Sequence, residues 1–244
     1  MNLCIDIGNS MIKTAVFSGY VILEKNKWHD IGIKDINKIK SVYPDIENVI
    51  LCSVRPDNPD LIRNLRTNFP FLLVMESETD IPLESLYETG NTLGKDRVAA
   101  VTGANNNYPG RNVLVIDAGT AITFDMVDES NRYIGGNISP GISLRFRALH
   151  DFTGKLPLAV PKPVKHMLAK NTEDSIVAGV MLGILFEIET YIDRMKKQFS
   201  NMIIILTGGD AKYFDKKLKR PIFVDPDLIF TGLNRILIHN AEKK

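Results

Sequence analysis

Val113-Leu114-Val115-Ile116-Asp117-Ala118-Gly119-Thr120, with the apolar run 122–127 behind it, decides how this chain is built. Four apolar residues, an acid, a glycine-bearing turn and a second apolar run read as a strand, a tight hairpin and a returning strand. A third strand, Arg132-Tyr133-Ile134-Gly135, follows the turn Asp128-Glu129-Ser130-Asn131. The chain opens in the same way. Setting Asp6 on Asp117 puts Ile5 on Ile116, Gly8 on Gly119 and Asn9 on Thr120, and the predicted strands 3–7, 12–17 and 20–25 form the same meander. Apolar-Asp-x-Gly arises easily once by chance but less easily twice at the head of the same meander. An internal duplication is the economical reading.

Outward from the two meanders, strand and helix alternate. A strand is predicted over 48–54, a helix over 59–68 and a strand over 71–75. In the second half, helices are predicted over 143–150 and 172–199, a strand over 203–206 that ends in Thr207-Gly208-Gly209-Asp210, and a closing helix over 227–239. Such alternation predicts an α/β protein whose sheets are extended by parallel strands. The expected organisation is an N-terminal lobe, 1–111, and a C-terminal lobe, 112–244, with the closing helix able to pack back on the first. No low-complexity linker divides them, so the lobes are expected to share a cleft.

Composition removes several function classes. With 44% hydrophobic and 24% charged residues and a formal net charge of +1, the chain has neither the disordered signature nor a field for nucleic acid. Cys4 and Cys52 lie in apolar runs and read as core residues of a protein kept in a reducing compartment. The acid at Asp6 interrupts any signal-peptide core, and the longest apolar stretch, 176–186, stops at Glu187, short of a bilayer span of about 20 residues. A cytoplasmic protein without membrane partners is expected. His29, His150, His166 and His239 show no ligand spacing, so no transition-metal site is read.

Three turns at strand ends carry the chemistry: Asp6-Ile7-Gly8-Asn9-Ser10, Asp117-Ala118-Gly119-Thr120 and Thr207-Gly208-Gly209-Asp210. Glycine lets a main chain approach phosphate oxygens, while Asn9, Ser10 and Thr120 offer donors. The aspartates repel phosphate and must hold a cation, or water on one. Two phosphate turns and a late Gly-Gly turn resemble the actin, hexokinase and heat-shock ATPase fold. That resemblance implies a duplicated actin-like ATPase (ribonuclease H-like) fold, with nucleotide in a cleft between two lobes. Gly90-Asn91-Thr92-Leu93-Gly94-Lys95-Asp96 imitates a P-loop, but it is one residue short between the glycines and has Asp where Ser or Thr must meet magnesium. Gly94-Lys95-Asp96-Arg97 instead opens a helix. Asp96 there can serve as an ordinary helix-start acid, and Arg97 as a surface charge.

Over essentially the whole chain, an ordered set of motifs resembles the type III pantothenate kinases: 6–13, 94–97, 116–123, Gly136-Asn137-Ile138-Ser139-Pro140-Gly141, Thr153-Gly154-Lys155-Leu156-Pro157, Asn171-Thr172 and 207–210. Ser10 stands where that family more often has Thr, and the segment before Gly94 lacks a frequent Pro. The resemblance implies ATP-dependent phosphorylation of pantothenate to 4′-phosphopantothenate, the first step of coenzyme A biosynthesis. Asp6, Ile7, Gly8, Asn9, Ser10, Met11, Ile12, Lys13 and Thr120 would then bind ATP. Tyr87, Gly94, Lys95, Asp96, Arg97 and Thr172 would bind pantothenate, with Asp96 as the proton acceptor and Thr172 supplied by the partner subunit of a homodimer. Asp117 would hold a monovalent cation, K+ or NH4+, with Mg2+ arriving on ATP.

Independently of the family, a carboxylate substrate with a primary hydroxyl needs a cation or donors at one end and a base at the other, and Arg97 and Asp96 are adjacent candidates. The helix after Thr172 is apolar almost all round its first half, through Val177, Val180, Met181, Leu182, Ile184, Leu185 and Phe186, and is expected in the core or at an interface. Two other readings stay open on the residues: a kinase of the same fold acting on a sugar or short acid, and a regulator that binds nucleotide or pantothenate without turnover.

Overall fold

β1 (Asn2–Ile7) is buried along its whole length, because it lies at the centre of a sheet covered on both faces. Its neighbours are β2 (Ile12–Ser18), antiparallel, and β4 (Asn48–Ser53), parallel. β3 (Val21–Trp28) and β5 (Phe71–Val74) close the order β3-β2-β1-β4-β5. The pleat sends alternate residues to opposite faces. Leu3, Ile5 and Ile7 pack with Ile36 and Ile39 of α1 (Ile33–Val42) and with Leu61 and Leu65 of α2 (Pro59–Asn68). Cys4, with Ile50 and Cys52, packs instead under Ala99 of α3 (Lys95–Asn107) and under Phe230 and Leu233 of α7 (Leu228–Ala241). Asp6, two residues beyond Cys4, therefore falls on the α3 face.

The computed structural model describes residues 1–243. They form two compact units: Met1–Gly110 with Ser130–Ile134 and the chain from Asp227 on, and Arg111–Glu129 with Gly135–Pro226. In the second, β7 (Val113–Ala118), β8 (Ala121–Val127), β9 (Arg132–Pro140), β10 (Ile203–Thr207) and β11 (Phe223–Val224) run in the order β11-β10-β7-β8-β9. This is the first sheet's pattern repeated: the opening strand in the centre, its hairpin partner antiparallel, the later strand parallel. Asp6 faces Lys13 and Cys52 across its ladders, and Asp117 faces Thr123 and Thr207 across its own. The first residues of β9 belong to the first unit, where Arg132 and Tyr133 pair with β6 (Glu84–Ser85).

Helix starts follow their caps. Asn58 accepts from the N–H groups of Asp60 and Leu61 ahead of Pro59, and Asn171 accepts from Asp174 at the head of α5 (Thr172–Gln198). α5 packs on α4 (Ile142–Asp151), and Glu187 of α5 pairs with Arg145 of α4. By length and hydropathy α5 could cross a membrane. However, Ile176, Val177, Val180, Met181, Ile184, Ile188 and Ile192 are buried against the rest of the chain.

α3 and α7 cross with their backbones in contact. A methyl group on Gly232 would run into the Ala99 carbonyl, and one on Gly103 into that of Leu228. A chain of buried amides also ties α7 to the sheet. Asn48 donates to Asn2 (3.0 Å), Asn2 to Asn234 (2.8 Å), and Asn234 to the Gly19 carbonyl (2.9 Å).

Candidate active site

The hairpin between β1 and β2 is tight because Gly8 donates to the Met11 carbonyl at 3.1 Å, with room for no more than a squeezed Cβ, 3.2 Å from that oxygen. The turn leaves Asn9 and Ser10 exposed, while the side chains of Ile7 and Ile12 stay in the core. Ile7 and Ile12 can therefore offer a phosphate only main chain. Arg55, just past β4, donates to the Asn9 carbonyl at 3.1 Å. This brace was not read from the sequence.

Asp6 sits at the foot of the turn and is 6% exposed. Burial pushes its carboxyl up from 3.8 to about 6, Lys13 pulls it back, and the like charge of Asp96 raises it again. Asp6, Lys13 and Asp96 thus form one electrostatic group although the acids lie far apart in the chain. Cys52 sits beside them; burial above all, then Asp6 and Asp96, holds its thiol well above the usual value.

α3 presents Asp96 in its first turn. The carboxylate accepts from the Arg97 N–H at 2.9 Å, and a Cβ on Gly94 would stand 2.6 Å from its Oδ1. Only glycine lets the side chain fold into that position. Arg97, 5% exposed, donates from Nη2 to the Tyr133 hydroxyl at 2.8 Å and lies 5.7 Å from the centre of the Tyr87 ring. Tyr87 and Tyr133 stack with centroids 5.9 Å apart. Lys95 departs from this cluster: its ammonium turns aside to Glu76, at 3.0 Å. Tyr133 was read from the sequence only as part of a strand. Its place beside Arg97 depends on the β6–β9 pairing, for which two residues of β6 give no periodic signal.

In the second unit, Asp117 stands at the end of β7 against two glycines. A Cβ on Gly119 would be 3.1 Å from Asp117 Oδ1, and one on Gly208, where φ is +96°, would collide with the same oxygen and with the Ala118 carbonyl. Gly141 likewise lies against the Gly119 and Thr120 carbonyls. A carboxylate among main-chain oxygens, in a cradle that side chains would fill, is a donor set suited to a hard cation such as potassium. Thr120 and Thr172 are both exposed, Thr172 as the first residue of α5. Burial raises the Asp210 carboxyl in the Gly208-Gly209 turn.

Comparison with known proteins points one way. Residues 2–194 match the family model described as type III pantothenate kinase. A protein of that name from Christiangramia forsetii is 42% identical over 241 residues, covering 98% of this chain and 99% of its own. Among solved structures, one from Campylobacter jejuni named for the Baf family of transcriptional activators superposes with a TM-score of 0.62 at 22% identity, over 98% of this chain and 99% of that one. A Sinorhizobium meliloti protein named as a 2-dehydro-3-deoxygalactonokinase gives 0.56 at 11% identity, over 97% and 98%. These likenesses show the fold, that of the actin-like ATPases and sugar kinases.

Proposed function

We propose, from the premise that this chain belongs to the type III pantothenate kinase family, that Asp6 and Asp96 form the reacting centre of its kinase chemistry. The enzyme transfers a phosphoryl group from ATP to pantothenate, the first step of coenzyme A formation. The observation that carries the assignment is the seat of Asp96 at the start of α3. Asp96 is held at the start of α3 by the Arg97 N–H and Gly94, and its charge is felt at Asp6.

In this reading Asp96 accepts the hydroxyl proton of pantothenate, late in a loose transition state that asks little of a base beyond orientation. Lys13 and the exposed donors of the 8–10 turn hold the ATP phosphates, Asp6 acts on them through a cation or its bound water, and Thr120 adds a hydroxyl. Magnesium, when bound with ATP, neutralises charge on the transferring group. Tyr87, Gly94 and Arg97 hold pantothenate, and Lys95 contributes through its main chain, because Glu76 occupies its ammonium. Asp117 and the carbonyls around it hold K+ or NH4+. Two chains assemble as a homodimer in the cytoplasm, with Thr172 of one completing the pantothenate site of the other. Supporting the dimer is an apolar hollow of about 610 Å³ on α4 and α5, lined by Leu149, Gly179 and Val180, beside a Phe152 that is 88% exposed.

A non-catalytic regulator is not favoured, because Asp6, Lys13, Asp96 and Arg97 are assembled, not scattered. Asp96→Asn tests the assignment. Turnover should fall about 100-fold or more while ATP still protects the protein from thermal unfolding. Turnover near that of the parent would remove Asp96 as the base.

A further inference from the structure

We infer that Tyr133 is a positioning residue for pantothenate binding, its phenol oxygen fixing the Arg97 guanidinium before substrate arrives. The inference rests on the reading that Arg97 contacts pantothenate. Arginine is a long, rotamer-rich side chain, and each torsion it must freeze on binding weakens affinity unless the fold has frozen it already. Here that freezing is visible. Nη2 donates to Tyr133 at 2.8 Å, and the guanidinium lies over Tyr87 at 5.7 Å. Tyr133 is itself immobile, 1% exposed, with Ser85 opposite it across the β6–β9 pair and its carbonyl accepting from Leu86 at 3.0 Å. The same pairing brings Tyr87, two residues beyond Ser85, onto the Tyr133 ring. One short strand pair thus sets two of the surfaces that hold Arg97.

Tyr133→Phe keeps the ring and its stacking and removes only the hydroxyl, and with it the acceptor that Arg97 uses. The expected result is a KM for pantothenate raised about tenfold, with kcat, the KM for ATP and the urea midpoint of Trp28 fluorescence all within roughly twofold or unchanged. Arg97→Lys should raise the same KM on its own, and the double variant should be no worse than Arg97→Lys, because the phenol acts through the guanidinium. If Arg97→Lys leaves the pantothenate KM alone, the reading of Arg97 fails and takes the inference with it. If Arg97→Lys raises it and Tyr133→Phe does not, the inference alone is overturned. A Tyr133→Phe protein with a lowered urea midpoint or a raised KM for ATP would overturn it too, assigning Tyr133 to the packing of the unit.

Discussion

Asp6→Asn should make the first unit more stable and the enzyme inactive. The folded unit raises the Asp6 carboxyl from 3.8 to about 6, and each pH unit in that interval is worth about 1.4 kcal/mol at 25 °C. Keeping Asp6 ionised above pH 7 therefore costs the fold about 3 kcal/mol. The sign follows from proton counting. Between those two values the folded state keeps a proton that the unfolded chain has lost, so this contribution is fully present below pH 3.8 and disappears as pH rises through about 6. Asparagine cannot ionise, so the variant lacks the loss. The stability gap, variant minus parent, should be near zero at pH 3.5 and open to about 3 kcal/mol by pH 7.5. Trp28 is the only tryptophan in the chain and lies on β3, bonded to the Thr14 hydroxyl. Urea unfolding followed by its fluorescence, without nucleotide, therefore reports the unit concerned. A gap that does not change with pH, or a variant less stable than the parent at pH 7.5, would refute the argument that burial and Asp96 strain Asp6. Loss of activity alongside gained stability is the expected signature of a group held against its preference for function.

Two further outcomes are expected. Turnover should depend on potassium or ammonium and fall when a bulky organic cation replaces them at constant ionic strength; a rate that ignores the substitution would give Asp117 another role. Mixing Asp96→Asn with Thr172→Val subunits, each nearly inactive alone, should restore partial activity, because one site of each heterodimer then carries neither change. A mixture that stays inactive after mass spectrometry has shown exchange would place Thr172 in its own chain's site.

The parts of the fold legible in the sequence are those whose signal is local. Buried central strands are continuous apolar runs, and both β1 and β7 announce themselves, as do the hairpin turns after Asp6 and Asp117. α2 and α5 carry Asn caps, and their predicted ranges agree with the structure within a residue. α1 was missed. It starts from Gly32, which has no side chain to cap with, so the side-chain bond at its start runs from the Gly32 N–H to Asp35, and it buries only two isoleucines, Ile36 and Ile39, with Asn37 and Lys38 between them. α6 (Ala211–Asp215) and the two-residue strands β6 and β11 are too short for a period to register. For the candidate site, residue types and turns were readable, but relations were not. The mutual effect of Asp6 and Asp96, the seat of Arg97 on Tyr133, the Arg55 brace and the diversion of Lys95 to Glu76 all arise from side chains that only the folded sheet and α3 bring together.

The bare crossing of α3 and α7 makes the placement of Asp96 depend on two hydrogen atoms. Because Gly103 and Gly232 let main chains touch, no side chain lies between the helices at that point to absorb a change in either glycine. A methyl group at Gly232 meets α3 backbone and must be accommodated by moving main chain, and the first turn of α3 is where the carboxylate sits. A genetic search for inactive forms should therefore return lesions in the last helix, at positions touching neither nucleotide nor pantothenate, whose proteins are folded but hold their base out of line.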